Sequence, residues 1–168
     1  MPVGYELQSA TIALAPFTTS GTTNTEIDFA FIKPGAGAKV SINGLRLQGR
    51  GSGLTSLNGM VVNFKNFTTA STGGTAMTPQ PVSLSTAKAA SATAGAGTGA
   101  GNNAVTSGTG GVLYKGGFGC SASGPSAWTA VTPDQAVEMA AGYAGSIDLF
   151  SLATPLNVNF DWWVDFLE

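Results

Sequence analysis

The sequence predicts an all-β protein, an antiparallel β-sandwich, and three observations lead to this prediction. Residues 157–167 alternate between apolar and polar side chains, which is typical of a strand with one buried face. Other short apolar runs are separated by segments rich in Gly, Ser, Thr and Asn, which favour turns. Only one short helix is indicated. We therefore prefer a jelly roll, with an Ig-like sandwich as the alternative.

The strand candidates share high β-propensity and flanking turn residues. In chain order they are 11–17, 26–32, 39–48, 60–68, 82–84, 111–115, 128–131, 147–152 and 157–167. The third candidate changes phase between its apolar residues at Asn43-Gly44, which a β-bulge or a sharp bend would explain. In the last candidate Trp163 is an exception, because it is a large aromatic residue on the polar face.

A short helix is predicted near residues 133–141. Thr132 suits the N-cap, Pro133 the first turn, and Gln135 stands three residues after the cap, as in a capping box. Gly142 is a suitable end. At this length the helix would connect two strands.

The length of 168 residues predicts a single domain spanning 1–168. Residues 87–111 are almost entirely Ala, Gly, Ser, Thr and Asn. Such a segment cannot bury enough apolar area to fold alone, so we expect a flexible loop or an arm there. An arm would become ordered by lying on neighbouring subunits.

The distribution of ionisable residues argues against an enzyme. The chain has no histidine and one cysteine, and no Asp or Glu occurs in residues 29–133. Proton transfer and metal binding usually need several such residues close together. Asp161 and Asp165 would share a strand face about 13 Å apart, which is too far for a glycosidase pair. We expect no catalytic residues, no metal and no cofactor.

The charges also bear on partners. The net charge of −2 excludes a generic nucleic-acid binder, and no apolar run is long enough to span a membrane. All seven bases lie between Asp28 and Asp134, whereas the nine acids lie at or outside these positions. Either the acidic ends fold over the basic middle, or the two meet across subunits or on an acidic partner.

Five residues are candidates for capsid docking or subunit contact, namely Arg46, Arg50, Trp163, Asp161 and Asp165. Arg46 and Arg50 flank a glycine-rich turn at a strand end, where their side chains can reach outward. The alternative is that both only pair with Asp161, Asp165 or Glu168 of the same or a neighbouring chain. Trp163 is the aromatic candidate, since a tryptophan on a polar face suits a subunit contact.

A family resemblance involves residues 73–79 (GGTAMTP), 82–84 (VSL) and 89–94 (AASATA). These resemble a segment of the small head-decoration (cement) proteins of tailed bacteriophages, and the aromatic–acidic end at 160–168 is similar to that group. The resemblance implies a jelly-roll subunit, usually trimeric, at threefold positions of an icosahedral shell. No catalytic residues come with it.

The function we expect is therefore structural. The chain would decorate and stabilise a phage capsid by bridging coat subunits, with the major capsid protein and its own copies as partners. It would be made in the host cytoplasm, since no signal peptide is evident, and would lie on the outer surface of the virion. The alternative is a carbohydrate- or receptor-binding β-sandwich module with tryptophan stacking platforms.

Overall fold

The computed structural model describes most of the strands and some of the connections between them. The described residues are 2–8, 27–50, 58–67, 75–83, 88–96, 111–120, 126–130, 132, 135–139, 144–151 and 159–168. At several strand positions within these ranges only the backbone is described.

Twelve strands account for nearly all regular structure in these ranges. They are β1 (Gly4–Gln8), β2 (Ile27–Lys33), β3 (Val40–Arg50), β4 (Asn58–Phe67), β5 (Thr75–Met77), β6 (Gln80–Pro81), β7 (Thr93–Ala96), β8 (Gly111–Cys120), β9 (Ser126–Thr129), β10 (Val137–Met139), β11 (Ala144–Ser151) and β12 (Asn159–Leu167).

The strands form two six-stranded sheets in which neighbouring strands are antiparallel. The first sheet has the order β10-β3-β12-β1-β6, and β9 pairs with β3. The second sheet has the order β5-β7-β2-β11-β4-β8. The predicted all-β antiparallel class is therefore confirmed.

The apolar faces of the two sheets meet in one core, as expected for a sandwich. Trp162 of β12 is fully buried, and Phe64 of β4 packs against Trp128 of β9 with ring centroids 5.4 Å apart. This contact joins the second sheet to the first. The buried apolar residues are Tyr5, Leu7, Ala30, Ile32, Val40, Ile42, Leu45, Leu47, Val62, Phe64, Ala92, Ala94, Val137, Met139, Trp162, Val164 and Phe166.

The phase change predicted in β3 is a β-bulge. Along β12 the pairing moves from Asp165 opposite Gly44 to Phe166 opposite Ile42, so Asn43 is the extra residue. An extra residue turns the following side chains to the other face. All four aliphatic residues of β3 therefore point into the core. They are Val40, Ile42, Leu45 and Leu47.

The predicted helix near 133–141 is wrong. Its middle is β10, which pairs with Ile42 to Val40 of β3 and buries Val137 and Met139 while Glu138 is exposed. Among the described residues at the capping signal, the Gln135 N–H donates to the Thr132 carbonyl at 3.0 Å. Helical propensity in so short a segment is outweighed by pairing with a free strand edge and by burial of alternate residues.

The predicted loop at 87–111 differs from the structure in its first part. Residues 93–96 form β7, which pairs with both β2 and β5, and Ala92 and Ala94 are buried. The alanine side chains bury little apolar area of their own. The segment is ordered because β7 forms backbone hydrogen bonds with a strand on each side and packs against the existing core. The rest, 97–110, lies outside the described residues, as does the predicted strand 11–17. Of the predicted strand 82–84, Val82 follows β6 and is exposed.

Candidate functional site

The outer side of the first sheet carries a polar surface formed by β1, β12 and β3, which we call the polar face. Alternate residues of these strands are buried, so those between them point away from the core. The residues of the polar face are Glu6, Gln8, Arg46, Gln48, Asp161, Trp163 and Asp165. It includes four of the five residues predicted as contact candidates.

Arg46 is the centre of the polar face. Its Nη2 donates to Glu6 Oε2 at 2.6 Å and lies 3.6 Å from Asp165 Oδ1. Its Cζ lies 5.5 Å from the centroid of the Trp163 ring, within the range of a cation–π contact. The register explains the grouping, since Glu6 pairs with Asp165, and Arg46 pairs with Trp163. One guanidinium therefore bridges three strands.

These ion pairs are partly exposed, so each contributes little to stability. The side chains of Arg46, Glu6 and Asp165 are 42%, 30% and 39% exposed. Exposed pairs of this kind typically contribute below about 1 kcal/mol. The arrangement holds the Arg46 side chain in place and satisfies much of its charge within the chain.

Burial raises the pKa of the Asp165 carboxyl above its ordinary value of 3.8. The Arg46 guanidinium opposes this by lowering the pKa, whereas Glu6 raises it further through its charge and a side-chain hydrogen bond. A raised carboxyl pKa means that the folded state binds this proton more tightly than the unfolded state. The stabilisation by Asp165 is thus complete below pH 3.8 and is lost as the pH rises through the raised pKa.

Asp165→Asn should therefore become more favourable relative to the native chain as the pH rises. The amide is uncharged, so at neutral pH it escapes the penalty of burying a carboxylate and of holding it beside Glu6. We expect the difference in unfolding free energy, variant minus native, to increase between pH 3 and pH 7. Urea unfolding at several pH values measures it. A difference that falls with pH would contradict the assigned environment of Asp165.

The other predicted candidates are placed as follows. Asp161 lies four residues before Asp165 on the polar face, opposite Gln48. Arg50 pairs through its backbone with Asn159, and its side chain lies outside the description. For Arg46 the structure favours the intrachain alternative, because Asp165 and Glu6 both contact it. The sequence analysis missed Glu6, although Tyr5 and Leu7 alternate with Glu6 and Gln8 as in a short strand.

A second group of polar contacts lies where β12 ends. The Glu168 carboxylate accepts hydrogen bonds from the Ser91 hydroxyl, the Ser91 N–H at 2.9 Å and the Ala92 N–H at 3.4 Å. The Tyr5 hydroxyl donates to the Lys88 carbonyl at 3.0 Å. Together these bonds fix residues 88–92 against the first sheet. Glu168 was one of three possible partners of Arg46 and Arg50 in the alternative given above, and its described hydrogen bonds are with this segment.

The described residues contain no group of three or more His, Cys, Asp or Glu side chains that could hold a metal ion. Nor does the described part of the chain contain a helix long and apolar enough to cross a membrane. What the polar face offers is a charged centre beside a partly exposed tryptophan on rigid strands. Such a combination is typical of contact surfaces between proteins.

Comparisons with known proteins add little. No protein-family model and no curated protein matches the chain. A crystal structure of the T13 IBDV viral particle aligns with 99% of this chain at 15% identity and a TM-score of 0.18. The chain spans 39% of the length of that structure's chain. A TM-score this low carries no argument about fold or function.

Proposed function

We propose that the chain is a structural virion protein that decorates an icosahedral phage capsid and stabilises it by bridging coat subunits. Its partners would be the major capsid protein and its own copies, most simply in a trimer. The mechanism is burial of surface against several coat subunits at once, with each contact strengthened by the others.

The strand order supports this proposal most. The longer strands and their partners are divided into β1-β12-β3, with β9 and β10 on β3, in one sheet and β2-β11-β4-β8 in the other. We infer a jelly roll from this order, since the first strand pairs with the last and the second with the last but one. Jelly rolls are common in viral capsid domains, but also in lectins and cupins. The fold alone therefore supports the capsid function only by analogy. The resemblance of residues 73–79, 82–84 and 89–94 to head-decoration proteins adds to this support.

The alternative of a carbohydrate-binding module receives less support from the tryptophans. Trp162 is fully buried, and Trp128 packs against Phe64 and Tyr114. Trp163 lies on the polar face, but Arg46 covers one side of its ring. Sugar stacking would thus depend on a single indole with a single free face. The three rings do not form the shared platform that the alternative requires.

The proposal is tested on virions of the phage that encodes the chain, prepared with the gene intact and deleted. We expect image reconstructions to show extra density on the outer shell of the intact virions at symmetry-related positions. Deletion should leave assembled shells that rupture at lower temperature, and adding the purified chain should restore both properties. Heat treatment of deleted particles mixed with bovine serum albumin is the matched control.

Identical shells with and without the gene would contradict the proposal. Binding of the purified chain to host-cell glycans, with no change in shell stability on deletion, would favour the carbohydrate-binding module. A chain that neither joins the shell nor binds glycans would exclude both functions.

A further inference from the structure

We propose that the chain docks through three exposed lysines at one end of the sandwich, Lys33, Lys39 and Lys88, and not through the polar face. The partner of these lysines is a carboxylate-rich protein surface. We call these three residues the lysine end. This inference deepens the proposed function, because it names the part of the chain that would meet the shell and the chemistry of the shell at that point.

The topology brings the three lysines to the same end. Lys33 is the last residue of β2, and Lys39 immediately precedes β3, so they flank the turn between the two sheets. β12 ends beside the start of β3, with Leu167 opposite Ser41. Residues 88–92 are fixed at this end by Glu168 and Tyr5. Lys33 ends a strand of the second sheet, and Lys39 precedes a strand of the first.

The lysine end differs from the polar face in how its charge is satisfied. Arg46 contacts two carboxylates of its own chain. Lys33, Lys39 and Lys88 are exposed, and no described carboxylate forms an ion pair with any of them. At this end Glu168 is engaged by Ser91, and Glu138 is exposed on β10 opposite Ser41. Among the described residues, these three positive charges therefore have no carboxylate partner and are open to a partner protein.

The lysine end is also held rigidly. The turn is closed by a hydrogen bond from the Ala38 N–H to the Gly35 carbonyl at 3.0 Å, with Gly37 at a φ of 73°. A Cβ on Gly35 would lie 2.7 Å from Ser91 Cβ, so the turn packs directly on the segment that carries Lys88. Ser91 is in turn bound by Glu168. A surface held in this way loses little conformational entropy on binding.

A protein surface fits these lysines better than a nucleic acid. Lysine ammonium groups are separate point charges, which match individual Asp and Glu side chains on a folded partner. Nucleic-acid surfaces are instead usually marked by a net excess of Lys and Arg, whereas this chain has a net charge of −2. The lysine end also contains no arginine that could fork onto a phosphate.

The test compares three forms of the purified chain. One is native, one carries Lys33→Gln, Lys39→Gln and Lys88→Gln, and the matched control carries arginine at the same three positions. Each is titrated against virions from the gene-deleted phage and against immobilised polyglutamate, duplex DNA and vesicles of phosphatidylserine and phosphatidylcholine. Thermal unfolding checks that each variant is folded. Lys39→Gln alone is the second variant if the triple change prevents folding.

We expect the glutamine variant to bind virions and polyglutamate between about threefold and a hundredfold more weakly, because exposed ion pairs are individually weak but add across three sites. The arginine variant should bind as the native chain does, and added salt should weaken the binding of both. If the glutamine variant binds virions as tightly as the native chain does, the inference is overturned and the proposed function stands. Stronger binding to DNA or vesicles than to polyglutamate would overturn the choice of a protein partner.

The proposed function and the lysine-end inference can also fail separately. If the native chain ignores virions but binds polyglutamate in a lysine-dependent way, the capsid function fails and the lysine end stands as an acidic-protein contact. If the native chain binds neither virions nor polyglutamate, both proposals fail.

Discussion

Trp162→Ala is expected to lower the free energy of unfolding by about 3–5 kcal/mol, as is typical when a large buried aromatic side chain is truncated. Trp162 has no exposed surface and is among the largest fully buried side chains described. It is held on β12, between β1 and β3, so its removal leaves a cavity in the core beneath the middle of the first sheet. Urea unfolding followed by circular dichroism measures the loss.

Trp163→Ala is the matched control, because it removes the same side chain from the next residue of the same strand. Trp163 lies on the polar face, and its described contact is with Arg46. An exposed cation–π contact contributes about 0.5–1 kcal/mol, so this variant should lose far less stability. Equal losses for the two variants would mean that β12 does not present alternate residues to the core and to the solvent.

Gly35→Ala is expected to cost about 1–3 kcal/mol, the usual range when an atom is forced into a well-packed site. The added Cβ would lie 2.7 Å from Ser91 Cβ and 2.9 Å from the Ser91 carbonyl oxygen. Because one of these atoms belongs to the backbone, the strain cannot be relieved by a side-chain rotation alone. The turn would have to move away from residues 88–92. Thermal unfolding compared with the native chain measures the cost.

Gly37→Ala, in the same turn, separates crowding from backbone strain. A Cβ at Gly37 would meet no atom within 4 Å, but its φ of 73° disfavours any side chain. We expect a loss of about 1 kcal/mol from the left-handed conformation alone. Gly35→Ala should in addition free the Lys88 segment, seen as faster proteolysis near residue 88, whereas Gly37→Ala should not. Equal proteolysis of the two variants would show that Gly35 does not fix that segment.

The features that the sequence predicts well are those decided within a single strand. The alternation in 157–167 depends on which residues are apolar, and the phase change at Asn43-Gly44 reveals the bulge for the same reason. The helix at 133–141 was wrong because a local capping signal says nothing about a strand edge that comes free elsewhere in the chain. That edge belongs to β3, nearly 100 residues earlier in the sequence.

The candidate site was predictable only in part. Trp163 and Asp165 could be chosen because the alternation in 157–167 placed them on the polar side of a strand, and Arg46 because it lies close to a glycine-rich turn. Their grouping depends on β1 and β3 both pairing with β12, and neither register is encoded locally. Glu6 was missed for this reason. The free lysines likewise become informative only when the structure shows which bases already have carboxylate partners.

The position of β12 also constrains the order of events during synthesis. β12 lies between β1 and β3, and it pairs Gly4 with Leu167. Until the ribosome has released residues 159–167, β1 has no neighbour on that side and β3 exposes a bare edge. The first sheet therefore cannot close until residues 159–167 have left the ribosome. Pairing across so long a stretch of sequence makes folding slow and leaves newly made chains open to aggregation.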